Sequence, residues 1–269
     1  MSKELEGKIA FVTGSGRGLG RTIAERLAEL GADVAIHDLD WTATAKYGEA
    51  ENLGVVAKEI ETYGGRTTAV TGNIGSQAAV AEMKRAIEEK LGVVDVLVNC
   101  AGGDIGAAGG KPNPNNALDI SLEDIQTLIN NNLIGTMLVV QAFVPPMVKA
   151  GRGSVINIAS AAAHIGVSPE VVYSALKAAV VHYTRCLAKE LMEDGVRINA
   201  VSPGATKTAR FQATRVVDPK RMDSSGKSFN RYAEPAEIAD AVAFLAGDRS
   251  KFINGQVLRV DGGFTVFPG

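Results

Sequence analysis

Short runs rich in β-branched residues alternate with longer segments whose apolar positions recur every three or four residues along this 269-residue chain. The first kind suits strands buried in a parallel sheet, and the second suits helices laid over it. Strands are expected at 8–13, 33–37, 67–70, 94–99, 153–159, 197–202 and 256–260. Helices are expected near 18–30, 50–63, 76–91, 121–149, 172–194 and 235–246. The alternation predicts an α/β fold: one doubly wound, seven-stranded, mostly parallel sheet with helices on both faces. No proline- or serine-rich linker and no repeat divides the chain, so 1–269 reads as a single domain.

Two segments, 102–119 and 204–232, are longer and more polar than a short connection requires. Both follow the carboxyl ends of strands, where open α/β sheets bind ligands, so they are expected to be lids or binding loops. Hydrophobic residues make up 46% of the chain and the net charge is −2. That composition gives no reason to expect nucleic acid or an anionic membrane as partner. The N-terminus runs through polar residues straight into the first strand, with no apolar signal segment, and a cytoplasmic location is expected. The greasiest stretch, 136–148, reads as too short for a bilayer and contains Pro145 and Pro146. Cys100 and Cys186 sit in apolar contexts and are expected to be reduced, buried thiols. No Cys or His cluster has metal-ligand spacing, so no metal is expected.

Charge-bearing chemistry concentrates at the first strand's end, in Gly14-Ser15-Gly16-Arg17-Gly18-Leu19-Gly20. Such glycines let a backbone turn tightly and bring a helix N-terminus up to a pyrophosphate. The strand–turn–helix context supports a dinucleotide site. Asp38 ends the second strand, eighteen residues after Gly20, where a carboxylate accepts both ribose hydroxyls and repels a 2′-phosphate. Arg17 pulls the other way, but no basic residue directly follows Asp38, so NAD is favoured over NADP. The extended segment 41–54 is expected toward the adenine end.

Tyr173 and Lys177 stand four residues apart, and Ser160 lies thirteen residues before the tyrosine. A phenol with its ordinary pKa of ~10 is a poor base at neutral pH. A lysine one turn away shares its helix face. At about 4 Å and an effective dielectric of ~20 the attraction is roughly 4 kcal/mol, enough to bring the phenol near neutrality. A hydrolase reading with Ser160 as nucleophile and His164 as base fails, because Ile-Ala-Ser-Ala-Ala lacks the glycines of a nucleophile elbow.

With the glycine loop, Asn99-Cys100-Ala101-Gly102, Asn132, Ser160, Tyr173, Lys177 and Pro203-Gly204 in this order, the chain resembles the short-chain dehydrogenase/reductase family. The resemblance runs from about residue 5 to the C-terminus and implies a Rossmann-type NAD(P)-binding domain. It implies that Tyr173 is the general acid/base, that Lys177 lowers its pKa and holds the nicotinamide ribose, and that Ser160 orients the substrate oxygen. Asn132 would hold a relay water at a helix kink. Asn99 would tie strands together, Ala101 and Gly102 would let the adenine ribose approach, and Pro203, Gly204, Thr206 and Thr208 would cup the nicotinamide. Asn73, beside Ile74, replaces the aspartate usual at the adenine, and Cys100 replaces a second asparagine in a packing position. A homotetramer or homodimer is implied, with 121–149, 172–194 and 264–269 as interfaces. The alternatives are a 3-oxoacyl or other carbonyl reductase, and a non-catalytic NAD-binding regulator. All four catalytic positions are filled, which speaks against the latter.

Between 205 and 232 seven basic residues face only two acidic ones. The other lip, 102–119, is rich in Asn and Gly. This predicts a small polar substrate (sugar, polyol or hydroxy acid), with Arg210 and Arg215 as anion contacts and His164 beside it.

Overall fold

The computed structural model describes residues 3–266. Strands β1 (Ile9–Val12), β2 (Asp33–Asp38), β3 (Thr67–Thr71), β4 (Val96–Asn99), β5 (Gly153–Ile158), β6 (Val196–Pro203) and β7 (Val257–Val260) form one sheet. Its order is β3-β2-β1-β4-β5-β6-β7, and every pairing is parallel. The order reverses between β1 and β4, so their carboxyl ends open a crevice. Both faces are covered, which explains why the strands are apolar on both sides. In β1, Ala10 and Val12 face a core with Ile23 and Leu27 of α1 (Gly18–Glu29) and Ile238 and Val242 of α8 (Pro235–Ala246). Phe11 faces the other core, with Met83 of α3 (Gln77–Lys90), Phe143 of α5 (Gly135–Ala150) and Leu187 of α6 (Val171–Glu190).

The remaining helices are α2 (Leu53–Glu61), α4 (Leu122–Ile129) and the six-residue α7 (Ala209–Thr214). Helix α7 lies inside a stretch expected to be loop; Thr208 starts it by accepting the Phe211 N–H at 3.1 Å.

Three expectations need correction or completion. The stretch 136–148 continues a 29-residue helical segment from Leu122 to Ala150, whose most apolar 18 residues have a mean hydropathy of 1.5, long and apolar enough to cross a membrane. In this fold its Val139, Val140, Phe143, Val144 and Met147 are instead packed under the sheet. Cys186 is exposed, because the helical period that buries Leu187 turns its neighbour outward. Of the tail 264–269, Phe264 and Val266 are exposed, and 267–269 lie outside the described residues.

Candidate active site

The glycine loop is held from beneath by β2. Gly14 has φ 64°, and a Cβ on it would lie 2.7 Å from the Ala101 Cα, so the loop and the 99–102 turn touch backbone to backbone. Ser15 exchanges hydrogen bonds with His37: its N–H donates to the His37 carbonyl (2.7 Å) and its Oγ accepts the His37 N–H (3.0 Å). The His37 ring is also engaged. Its Nδ1 accepts the Gly14 N–H at 3.1 Å, which leaves Nε2 to donate to the Gly72 carbonyl at 2.8 Å. Burial pushes its pKa down, consistent with this neutral tautomer. Nothing in the sequence marked His37 as a support of this loop.

At the adenine end, a Cβ on Gly16 would stand 2.7 Å from Asp38 Oδ2, so the glycine lets that carboxylate lie directly against the loop. Asp38 is buried, accepts the Leu39 N–H (2.8 Å) and lies 3.9 Å from Arg17 Nε. The Arg17 guanidinium stacks over Tyr47 at 5.1 Å. Glu49, unmarked in the sequence, accepts the Gly18 N–H at 2.6 Å. Lys46 reaches across to the Gly109 carbonyl at 2.5 Å, so segment 41–54 spans toward the 102–119 lip. Asn73 Oδ1 accepts the Gly75 N–H (2.8 Å) and so braces its own turn; Ile74 is buried.

The proton-handling groups gather at the carboxyl end of β5. The Ser160 hydroxyl accepts the Ala162 N–H at 3.2 Å and favours the ionised form of the Tyr173 phenol. Lys177 Nζ donates to the Ile158 carbonyl at 2.9 Å and lies 5.8 Å from the Tyr173 ring centre. Burial lowers the Lys177 pKa to about 8. Burial also raises the Tyr173 phenol, opposed by the Ser160 hydrogen bond and the Arg210 charge and reinforced by Glu170 and Asp104. Desolvation is the largest influence on the phenol, and Arg210 is a cation that opposes it. Burial takes the Cys100 thiol up to about 11, consistent with a packing role.

Asn132 sits in a π-helical turn, Asn130–Ile134, the expected kink. Its side chain is fully buried and clamps Gly103, accepting the N–H (2.8 Å) and donating to the carbonyl and to Leu128 O (both 3.0 Å). The amide therefore holds the lip backbone directly. Asn99 donates to Asn157 Oδ1 at 2.8 Å, tying β4 to β5. Thr206 Oγ1 donates to the Gly204 carbonyl, and Thr208 lies 3.6 Å from a Cβ built on Gly18, closing the far side.

Most of the lid's basic residues are already partnered. Lys207 pairs with Glu234 and Arg231 with Glu237 (each 2.5 Å), and Arg221 stacks on Tyr232 at 4.5 Å. Arg215, expected as a substrate contact, is engaged by the protein itself: its Nη2 lies 2.8 Å from Glu170, which also holds Lys111 at 2.7 Å. Asp104 joins through Asn115 (2.8 Å). Glu170 has φ +89°, the one non-glycine with positive φ among the described residues, and directly precedes α6. These charges latch both lips to the helix that carries Tyr173. His164, expected beside the substrate, has its Nε2 on the buried Ser202 Oγ at 2.9 Å and braces β6. Arg210 keeps its place: it donates to the Gly102 carbonyl at 3.3 Å with no carboxylate in ion-pair range among the described residues.

The residues fit a nicotinamide dinucleotide. Gly14 and Gly16 leave no room for a side chain, and Arg17 Nη1, Thr44 Oγ1 and Glu49 Oε1 beside them are buried without protein partners. A cavity of about 640 Å³ at the opposite end of the sheet, lined by Lys8, Arg152 and Lys251, contains none of these residues.

The family model described as enoyl-(acyl carrier protein) reductase matches residues 14–265. The chain is 36% identical to a hydroxy(phenyl)methylsuccinyl-CoA dehydrogenase subunit of Thauera aromatica, over 98% of this chain and 99% of the relative. It is 35% identical to a D-threitol dehydrogenase of Mycolicibacterium smegmatis, over 97% and 94%. The solved structure of a 7α-hydroxysteroid dehydrogenase with NADH and 7-oxo-glycochenodeoxycholic acid matches with TM-score 0.83 and 31% identity, covering 97% and 96% of the two chains.

Proposed function

The chain belongs to the short-chain dehydrogenase/reductase family, and from that premise we propose an NAD-dependent oxidoreductase interconverting a secondary alcohol and a ketone on a small polar substrate. The observation that carries this reading is the gathering of Ser160, Tyr173 and buried Lys177 at the carboxyl end of β5, with Lys177 Nζ on the Ile158 carbonyl at 2.9 Å and 5.8 Å from the Tyr173 ring centre. Bound nicotinamide supplies the hydride acceptor or donor. Ser160 and Tyr173 hold the substrate oxygen between them, and Tyr173 moves its proton. Arg210 favours the tyrosinate and offers its guanidinium to a polar or anionic substituent. Asn132, through Gly103, fixes the wall opposite. Asp38 supports NAD over NADP, and the D-threitol dehydrogenase supports a polyol-sized substrate.

A second reading has one observation in its favour. Leu118, Val216 and Phe229 are exposed on the same two lips, which suits a longer acyl chain and hence a 3-oxoacyl reductase.

Following NADH absorbance with polyols, sugar acids, hydroxy acids and 3-oxoacyl thioesters separates the two. Turnover of a polyol or hydroxy acid at kcat/KM at least about tenfold above the thioesters supports the first. The reverse order overturns it. A homotetramer in the cytoplasm completes the proposal.

A further inference from the structure

We propose that Glu49 is a second carboxylate, besides Asp38, that reads the adenosine ribose of the dinucleotide and keeps a 2′-phosphate out. The proposal rests on the dinucleotide reading above but concerns a different segment. After β2, a 3₁₀ turn over Ala43–Tyr47 and a left-handed Gly48 (φ 71°) fold the chain back over the glycine loop. Glu49 then faces the N-terminus of α1. That helix has no acidic residue in its first turn, and Arg17 before it makes no side-chain cap. Glu49 Oε2 accepts the Gly18 N–H at 2.6 Å, and Arg21 Nη1 fixes its backbone carbonyl at 3.1 Å. A carboxylate is well placed at this positive helix end.

A cap alone would leave no polar atom wanting. Yet Glu49 Oε1 is buried without a protein partner, as are Arg17 Nη1 and Thr44 Oγ1. Thr44 is itself fully buried, and its Cγ2 stands 2.8 Å from a Cβ built on Gly16, next to Asp38 Oδ2. An unpaired acceptor, an unpaired donor and a hydroxyl thus line one turn. A vicinal diol answers all three, since each hydroxyl both donates and accepts. A phosphate dianion donates to neither carboxylate, and Asp38 and Glu49 outnumber Arg17. Repulsion of this kind selects against the wrong ligand without strengthening the right one.

The test is direct titration of NADH and NADPH by nicotinamide fluorescence in the parent, Glu49→Gln, Asp38→Asn and the double variant. Glutamine keeps an acceptor for Gly18, and thermal unfolding of each variant checks the fold. Glu49→Gln is expected to tighten NADPH about tenfold and to move NADH by less than about threefold, with a further gain in the double variant. An NADH/NADPH ratio unchanged within about twofold in Glu49→Gln, with the double variant matching Asp38→Asn, overturns the proposal. A lowered melting temperature with that same unchanged ratio makes Glu49 a helix cap only. A parent protein that binds neither dinucleotide removes the cofactor reading itself, a result distinct from an unchanged ratio in a protein that binds.

Discussion

Replacing Lys177 by methionine should stabilise the fold at neutral pH while removing most activity. The ammonium is only 5% exposed, and burial, the largest influence, brings its pKa from the ordinary 10.5 to about 8. Arg210 pushes in the same direction and Cys100 against it. Keeping this charge at pH 7 costs the folded state about 3 kcal/mol. Methionine removes that cost and fills similar space, but leaves the Ile158 carbonyl without its donor, a loss of about 1–3 kcal/mol. A net gain of about 1 kcal/mol remains. The pH dependence isolates the cause. The folded parent releases this proton near pH 8 and the unfolded chain near 10.5, so between them the unfolded chain holds more protons. Parent stability therefore rises there, by about 1 kcal/mol between pH 7 and 9, and the variant's does not. Cys100, raised from 9.0 to about 11, acts with the opposite sign but only above pH 9. Urea unfolding of both proteins at pH 7 and 9, at one protein concentration, should show the gap closing by about 1 kcal/mol. A gap that holds within about 0.3 kcal/mol would mean that Lys177 does not carry a buried charge at pH 7.

Tyr173→Phe should lower kcat by about 10²–10⁴ while leaving the NADH dissociation constant within about threefold; activity within tenfold of the parent refutes the acid/base assignment. Arg215→Ala removes one arm of the latch at Glu170, and because that arginine is 38% exposed the stability loss should stay below about 1 kcal/mol. Its KM should rise several-fold and kcat should fall with it, because Glu170 is then less compensated beside Tyr173; an unchanged KM and kcat would show that the ion pair does not hold the lip. Light scattering at micromolar protein should return four times the 28.1 kDa chain mass, and a monomer mass refutes the tetramer.

Elements with a strong local signal were legible in the sequence. The five inner strands, β2, β1, β4, β5 and β6, are buried on both faces, so their apolar runs stand out, and the order of glycine loop, Ser160, Tyr173 and Lys177 located the crevice. What stayed hidden depends on contacts between segments far apart in the chain. Arg210 and Arg215 look alike as lid cations, and only the fold shows that Glu170 takes one and not the other. His37 reads as an ordinary strand residue until Gly14 and Gly72 are brought to its two ring nitrogens. Glu49 lies in a segment without periodicity, and its meaning comes from a turn that folds it onto α1, thirty-one residues earlier at Gly18. Helix α7 is too short to leave a pattern, and Cys186 was misjudged because apolar neighbours on a helix point in different directions.

The lid and the proton chemistry are one system rather than two. Burial makes Tyr173 a weaker acid than free tyrosine, which by itself opposes its use as a base. The charges that modulate it come from the two lips and from the start of α6. Arg210 on α7 pulls the phenol down, while Glu170 and Asp104 push it up. Those two carboxylates are the ones that Lys111 and Arg215 reach, at 2.7 Å and 2.8 Å from Glu170 and, for Lys111, 3.7 Å from Asp104. A closed lid therefore brings Arg210 to the phenol and at the same time offsets the carboxylates that oppose ionisation. Were the lid to swing away, the tyrosine would lose its favourable cation and face two less compensated negative charges. Ionisation of Tyr173 is thus easiest with both lips latched to α6.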